Sequence, residues 1–221
     1  MSDATNDPVR GVVFDLDGTL GETLPVCFEA FRSVFQCDHG AVYSDSEIRA
    51  MFGPSELGVL TRNGSGDPDK LHAAYLQKYA SFHHKADEPF PGILAVLEQL
   101  ATFGVPIAVV TGKGHESAVL SLRHWGIEGF FTHVMTGSDA GDIKLDNMRH
   151  VVSSWGLDPG AVVAIGDIAL DAERSRSAGL RPVSAAWSVT ADPQSLAAAP
   201  TERVFSSVAQ FWDWLEPQLA G

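Results

Sequence analysis

The chain has 221 residues, of which 45% are hydrophobic and 12 are phenylalanine, so it can bury a sizeable core and is not expected to be disordered. Its 15 Lys and Arg residues face 28 Asp and Glu residues, and the resulting net charge of −13 argues against nucleic acid or an anionic membrane surface as a partner. A small anionic substrate would therefore need a local cationic site.

The first ten residues, "MSDATNDPVR", lack the basic start and the apolar stretch of a secretory signal. No later apolar run reaches the length that spans a membrane, so we expect a soluble, cytoplasmic protein. Cys27 and Cys37 lie ten positions apart on one predicted helix and its end, which is far for a disulfide. We expect both thiols to be reduced.

The first predicted strand lies in "VVFDLDGTL", residues 12–20, where an apolar run is followed by Asp15 and Asp17. Residues two apart on a strand lie on one face, so both carboxylates would point toward one spot, and Gly18 would let the backbone approach a ligand there. Close carboxylates repel each other unless a cation or a shared proton relieves them. The alternative is an ordinary exit from a strand, in which Asp and Gly supply turn chemistry.

Helical periodicity dominates residues 21–88, which contain no convincing strand. The segments 24–35 and 69–82, separated by the turn-rich "RNGSGDPD", each carry the apolar stripe of an amphipathic helix. We expect a small helical unit here. Its adjacent histidines, His83 and His84, diverge by about 100° on a helix and have no third ligand at suitable spacing, so we expect a solvated helix end and not a metal site.

Strands alternate with helices from "EPFPG" onward. The short apolar runs "VPIAVV", "FFTHVM", "AVVAI" and "RPVSAAW" are separated by stretches with helical periodicity, and a final helical stretch contains Trp212 as a predicted core residue. Apolar strands between helices are typical of a parallel α/β sheet. Because ligands bind beyond the carboxyl ends of the strands in such sheets, the residues that follow each run are candidates for a site.

Polar and charged residues follow several of the predicted strands. Each has an ordinary alternative as a plain turn, a solvated loop lysine or a helix-start carboxylate stabilised by the helix dipole. Their common position at strand ends favours one shared site. The candidates, in chain order, are Asp15, Asp17, Thr111, Gly112, Lys113, Lys144, Asp167 and Asp171.

The strings "DLDGTL", "VVTG", the lone Lys144 and "IGDIALD" resemble, in order and spacing, the four motifs of the haloacid dehalogenase superfamily. The helical insertion after the first motif and the string "PFPGI" make the chain similar to phosphatases related to phosphoglycolate phosphatase. The resemblance implies an α/β fold with a Rossmann-like parallel-sheet core, residues 8–20 and 89–221, and an inserted helical cap domain of the first type, residues 21–88. It also implies a magnesium-dependent phosphohydrolase.

The resemblance assigns a role to each motif. Asp15 would be the nucleophile that attacks phosphorus and forms an aspartyl-phosphate, and Asp17 would protonate the leaving oxygen and then activate water. Mg²⁺ would be held by the Asp15 carboxylate, the Asp17 backbone carbonyl and Asp167, and would lie between the charges of the first motif. Lys144 would neutralise the phosphate and Asp15, and Asp171 would orient Lys144 or the water around the metal.

The resemblance also implies how the substrate is held. Thr111 and the Gly112 amide would grip the phosphoryl oxygens, and Gly18 would admit the phosphate because it lacks a side chain. Lys113 would add positive potential near the site without being essential. The cap segment that resembles a substrate-contacting region, and that we expect to affect specificity, comprises Phe52, Gly53 and Pro54.

A small phosphorylated metabolite is the substrate class that the resemblance favours, with phosphoglycolate as one candidate. A phosphomutase of the same superfamily and a non-catalytic binding or regulatory module on the same fold remain alternatives. A dehalogenase is disfavoured, because hydrolysis of a carbon–halogen bond needs neither magnesium nor an acid for the leaving group, whereas Asp17 and Asp167 are both present. The sequence leaves the substrate, the resting position of the cap and the oligomeric state open.

Overall fold

A six-stranded parallel sheet forms the centre of the protein. The computed structural model describes residues 8–219. The strand order across the sheet is β3-β2-β1-β4-β5-β6, so the first strand lies in the middle between β2 and β4. The strands are β1 (Gly11–Phe14), β2 (Ile107–Val110), β3 (His133–Met135), β4 (Val162–Gly166), β5 (Arg181–Ala185) and β6 (Val204–Phe205).

Helices connect the strands and cover the sheet. Helices α1 to α4 lie between β1 and β2 in the chain. Short 3₁₀ turns occur at residues 83–86, 128–130 and 159–161. The helices are α1 (Leu24–His39), α2 (Asp45–Arg49), α3 (Glu56–Asn63), α4 (Pro68–Phe82), α5 (Ile93–Thr102), α6 (His115–His124), α7 (Lys144–Trp155), α8 (Ala169–Ser177), α9 (Pro193–Ala198) and α10 (Val208–Leu219).

The predicted α/β class and parallel sheet are confirmed. The central strands β1, β2 and β4 are buried along their whole length, which explains why apolar runs without alternation identified them. Strand β3 lies at the edge of the sheet and is only half-buried. Strand β6 was not predicted, because its two residues are too short to show a pattern.

Alternating side chains of β1 enter two different hydrophobic clusters. Val12 and Phe14 pack with apolar residues of α5, α6 and α10 on one face of the sheet. Val13 packs on the opposite face with residues of α7. Trp212 on α10, which was predicted to be a core residue, is half-buried against the first cluster. It therefore lies at the margin of the core. The two layers of helices hold β1 and its end in the middle of the molecule.

Helices α1 to α4 have a third hydrophobic cluster of their own. The rings of Phe31 on α1 and Tyr75 on α4 lie 4.5 Å apart, and Tyr75 and Tyr79 are fully buried. The two long helices match the predicted segments, whereas α2 and α3 were not predicted, since five and eight residues are too few for a periodic stripe. No helix within residues 8–219 combines the length and apolarity needed to cross a membrane.

The expectation of a solvated helix end at the paired histidines is wrong for His83. Its side chain is buried, and Nε2 lies 2.9 Å from the hydroxyl of Ser121 on α6. His84 is exposed, as expected. No local sequence pattern indicates this difference, because Ser121 and His124, which contact His83, lie on α6 in a distant part of the chain. Both cysteines are free thiols; Cys27 is buried and Cys37 is exposed.

Candidate active site

The loops that follow β1, β2 and β4 converge on a cavity of about 230 Å³ at the carboxyl ends of the strands. One wall comes from α1 to α4 and the other from the loops at the strand ends. Most of the candidate residues therefore meet in one place. The cavity-lining residues predicted from the sequence are Asp15, Asp17, Phe52, Gly53, Pro54, Thr111, Gly112, Lys113, Lys144, Asp167 and Asp171.

Lys144 is a buried cation between two carboxylates. Its Nζ lies 2.9 Å from Asp15 Oδ1 and donates a 2.7 Å hydrogen bond to Asp171 Oδ1. Burial opposes the charged form, but Asp15 and Asp171 outweigh it and raise the pKa of Lys144, so the ammonium stays protonated. Its position at the first residue of α7 carries the side chain back toward the sheet. Lys144 and Asp171 are thus close enough for the orienting contact expected of them.

Three carboxylates form a buried acidic cluster. Oxygen atoms of Asp15, Asp167 and Asp171 all lie within 4.8 Å of one another. Burial raises the pKa of Asp15 to about 6, with Lys144 opposing the rise, and burial together with Asp15 and Asp171 also raises the pKa of Asp167. Asp167 Oδ2 and Asp171 Oδ2 are buried and have no hydrogen-bond partner within the described residues 8–219. Three carboxylate oxygens gathered this closely fit a hard divalent cation such as Mg²⁺.

Gly18 has a structural role that its sequence context did not indicate. Its φ of +73° belongs to the left-handed region, which glycine adopts without strain. A Cβ at this position would lie 2.2 Å from Asp167 Oδ2. The missing side chain of Gly18 therefore makes room for the Asp167 carboxylate, whose atoms lie closest to the position that a Cβ would occupy.

The two aspartates of the first motif face different lysines. Asp15 contacts Lys144, whereas Asp17 Oδ1 lies 3.2 Å from Nζ of Lys113 and accepts a hydrogen bond from the hydroxyl of Thr23. The Asp17 side chain is absent from the acidic cluster. Both carboxylates line one cavity, but each has its own lysine partner, because the chain turns sharply at residues 16–21 and the strand geometry ends at residue 14.

Lys113 is the candidate whose surroundings differ most from expectation. Its side chain is 1% exposed and forms an internal ion pair with Asp17 at the cavity. The hydroxyl of Thr111 accepts a 3.2 Å hydrogen bond from the Lys113 amide, which shapes the loop after β2. Gly112 is exposed, and a Cβ there would meet no atom within 4 Å. The exposed Gly112 backbone borders the cavity.

Several cavity-lining residues were missed by sequence reasoning. Arg49 and Glu56 lie on the short helices α2 and α3, which show no periodic pattern. Arg174 lies three residues after Asp171 on α8 and its Nη1 is 3.5 Å from Asp171 Oδ1, a spacing that could have identified it. The remaining lining residues are Leu24, Cys27, Phe31, Val59, Tyr75, Asp142, Ile168 and Leu170.

Comparison with known proteins identifies the family of this chain. The family model described as Haloacid dehalogenase-like hydrolase matches residues 12–185. A phosphoglycolate phosphatase of Caulobacter vibrioides is 30% identical over 193 residues, which cover 82% of this chain and 81% of that protein. The pyrophosphatase PpaX of Bacillus pumilus is 28% identical over 187 residues, covering 82% and 85%.

A solved structure also has the same fold. CbbY from Rhodobacter sphaeroides, in complex with phosphate, has a TM-score of 0.75 and is 20% identical, covering 92% of this chain and 96% of that one. At this identity the likeness shows the fold alone. Since the family model matches residues 12–185, which is most of the chain, the protein belongs to the haloacid dehalogenase-like hydrolases.

Proposed function

We propose that the protein is a magnesium-dependent phosphomonoesterase that acts on a small phosphorylated metabolite. The observation that supports this proposal most directly is the buried ion pair of Lys144 with Asp15. It lies beside a cluster of carboxylates at the carboxyl ends of the central strands. Such a site holds a carboxylate nucleophile, a fixed cation and oxygen ligands for a metal within one small cavity. These are the groups that phosphoryl transfer needs for positioning and charge stabilisation.

In the first step, a carboxylate oxygen of Asp15 forms a bond to phosphorus while the bond from phosphorus to the leaving oxygen breaks. Asp17 donates a proton to that oxygen, so the alcohol leaves neutral. The product on the enzyme is an aspartyl-phosphate at Asp15. Asp17 lines the same cavity but contacts Lys113 instead of Lys144. This separate position suits Asp17 to proton transfer while Asp15 acts as the nucleophile.

In the second step, Asp17 takes a proton from water, whose oxygen attacks phosphorus. The bond between Asp15 and phosphorus then breaks, which releases inorganic phosphate and restores both carboxyl groups. A bound Mg²⁺ would be held by Asp15 and Asp167 together with the backbone carbonyl of Asp17 or the carboxylate of Asp171, and it would neutralise negative charge on the phosphoryl group.

Cationic and neutral donors would hold the phosphoryl oxygens. Lys144 provides the buried ammonium group, and Thr111 and Gly112 border the cavity at the end of β2. Because Lys144 already touches Asp15, it is placed to interact with a phosphoryl group attached to that residue. Asp171 keeps the ammonium in position through its 2.7 Å contact.

Residues 21–88 act as a cap over a core formed by residues 8–20 and 89–221 in this proposal. The separate hydrophobic cluster of α1 to α4 supports that division. Phe52, Gly53 and Pro54 line the cavity on the cap side, where they would contact the part of the substrate that is not transferred. Arg49 on the same side would attract a second anionic group of the substrate.

The cavity volume of about 230 Å³ supports a small substrate. Phosphoglycolate is a candidate phosphomonoester, because the similar protein of Caulobacter vibrioides carries that name. Inorganic pyrophosphate is a phosphoric anhydride whose leaving group is phosphate instead of an alcohol, and it is a second candidate because the similar protein of Bacillus pumilus is named a pyrophosphatase. Both candidates have a second anionic group beside the phosphoryl group to be transferred. They are therefore the first compounds to compare with sugar and nucleotide phosphates.

Phosphate release from a substrate panel, measured with Mg²⁺ and with a chelator, tests the proposal. The panel contains p-nitrophenyl phosphate, phosphoglycolate, pyrophosphate, and sugar and nucleotide phosphates. Turnover should require Mg²⁺ and should disappear in Asp15→Asn, whereas the exposed Asp146→Asn should keep wild-type activity. Isomerisation of a sugar phosphate primed by a bisphosphate would indicate a mutase instead. If no compound reacts, or if Asp15→Asn releases phosphate normally, the proposal is wrong.

A further inference from the structure

Lys113 lies at the meeting point of the helical segment and the sheet. Its Nζ donates to Asp17 Oδ1 at 3.2 Å and to Cys27 Sγ at 2.9 Å, and it lies 3.6 Å from Glu56 Oε1. The ammonium also lies 4.3 Å from the centre of the Tyr79 ring. A buried ammonium needs such anionic and aromatic partners, since water does not solvate it. Two of them, Asp17 and Glu56, are acidic side chains.

Glu56 reaches Lys113 from the helical segment. It lies at the first position of α3, is buried, and accepts hydrogen bonds from the Gly114 amide and from the Ser117 hydroxyl, the latter at 2.5 Å. Gly114 is the N-cap of α6 and has no side chain to cap the helix itself. The Glu56 carboxylate therefore caps α6 from a distant part of the chain, a favourable place for a negative charge.

The contact between α3 and the loops of the sheet is close and specific. A Cβ on Gly114 would lie 2.4 Å from Glu56 Oε2, and a Cβ on Gly58 would lie 2.5 Å from the Asp139 carbonyl oxygen. The Ser55 amide donates to the Ser138 carbonyl at 2.9 Å. Glycine at both positions lets the backbones approach, so the position of Glu56 depends on the docking of α3 against these loops.

The contacts of Asp17 use one of its two oxygens. Thr23, Cys27 and Lys113 all point to Oδ1. Oδ2 has no hydrogen-bond partner among residues 8–219, and the side chain is 17% exposed on the cavity. Fixing one oxygen fixes the rotamer of the carboxyl group, which leaves the other oxygen available to a substrate.

We propose that Lys113 and Glu56 form a positioning pair, in which docking of α3 brings Glu56 to Lys113 and thereby holds the Asp17 carboxyl group in place for proton transfer to the leaving group. The inference rests on the proposed function, because it refines the role of Asp17 in that reaction. Lys113 is a positioning residue here, since its ammonium acts through Asp17. Undocking of α3 removes the second charge partner of Lys113 and loosens Asp17.

The dependence of turnover on the leaving group tests this role. An alkyl phosphate needs a proton on its leaving oxygen, whereas p-nitrophenolate leaves without one. Lys113→Met should lower kcat for an alkyl phosphate on the order of 100-fold and for p-nitrophenyl phosphate by less than about fivefold. Glu56→Gln should show the same selectivity with a smaller loss, roughly tenfold, and the double variant should be no worse than Lys113→Met alone.

Matched exposed residues provide the controls. Lys78→Met on α4 and Glu116→Gln on α6 should leave both activities unchanged. An equal loss with both substrates in Lys113→Met and Glu56→Gln would overturn the inference, because it would indicate a structural or phosphate-binding role. The same experiment includes the wild type and Asp15→Asn, which test the proposed function itself. Failure of the proposed function would abolish Asp15-dependent turnover in the wild type, whereas failure of this inference would leave that turnover intact.

A second measurement needs no turnover. In a Cys37→Ser background, alkylation of the buried Cys27 reports whether α3 stays docked over Lys113. Glu56→Gln should increase the alkylation rate of Cys27 at least roughly tenfold, whereas Glu116→Gln should not. This variant retains Lys113 and the shape of residue 56, so it tests the pair even if Lys113→Met does not fold. An unchanged rate in Glu56→Gln would overturn the inference.

Discussion

The ammonium group of Lys144 lies 2.9 Å from Asp15 Oδ1, and the two side chains are only 5% and 10% exposed. An ion pair so deeply buried is a costly arrangement, because both charges lose their hydration. The cost is offset here by Asp171, which shares the same ammonium. The pair also draws the end of β1 toward the start of α7 and so shapes the centre of the cavity.

Lys144→Met should leave Asp15 and Asp171 buried without their common cation. We expect kcat to fall by more than about 100-fold and the free energy of unfolding to fall by about 3–5 kcal/mol. Urea unfolding and turnover of the best substrate measure the two effects. Arg149→Met, an exposed change on the same helix, is the control. A variant with wild-type kcat would show that Lys144 has no role in the reaction.

Gly18→Ala should disturb the site through two separable effects. Gly156 also has a positive φ, +64°, but a Cβ there would meet no atom within 4 Å. Gly156→Ala therefore measures backbone strain alone, about 1–2 kcal/mol. Gly18→Ala adds the collision with Asp167 and should cost about 2–4 kcal/mol in unfolding free energy. Equal losses in the two variants would mean that Asp167 moves aside freely.

Mg²⁺ should stabilise the folded protein through the acidic cluster. At a concentration 100 times its Kd, the ion would add about 2.7 kcal/mol of stability and raise Tm. Asp167→Asn should melt higher than the wild type in a chelator, because three close carboxylates repel each other, and should gain much less from Mg²⁺. Asp213→Asn, an exposed change on α10, is the control. Equal Mg²⁺ shifts in all three proteins would argue against this cluster as the metal site.

Acidification should destabilise the fold through His83. Burial, with smaller effects of His124 and Lys113, lowers the pKa of His83 to about 4. The unfolded chain binds the proton near pH 6.5 and the folded protein near pH 4, so stability is retained above pH 6.5 and lost as the pH falls between these values. At pH 5 the loss from this residue is about 2 kcal/mol.

Unfolding in urea at pH 7.5 and pH 5.0 isolates this effect. His83→Gln should be less stable than the wild type at pH 7.5, because it disturbs the contact with Ser121, but it should lose less stability on acidification. The neighbouring exposed residue supplies the control, and His84→Gln should behave as the wild type does. If His83→Gln and the wild type lose the same stability between the two pH values, the buried imidazole does not titrate as expected.

Much of the candidate site was predictable because its residues follow buried strands. Strands β1, β2 and β4 are apolar on both faces, so short runs without charge identified them, and the polar residues after each run stood out. Since parallel strands end at the same edge of the sheet, Asp15, Thr111 and Asp167 were expected to meet, and they line one cavity. This inference needed only local patterns and the geometry of a parallel sheet.

Contacts between distant, irregular segments were not predictable in this way. Glu56 and Gly114 are 58 residues apart, and Glu56 starts a helix too short for a periodic pattern. Nothing in the local sequence distinguishes buried Lys113 from an exposed loop lysine, because its burial depends on residues of α1, α3 and α4 that pack around it.

The sequence by itself therefore determined the fold class, the order of the site residues and their gathering at one edge of the sheet. Only the tertiary structure decided that Asp15 and Asp17 face different lysines and that Gly18 makes room for Asp167. The reason is physical: strand and helix patterns depend on neighbours within a few residues, whereas burial and ion pairing depend on which segments the folded chain brings into contact.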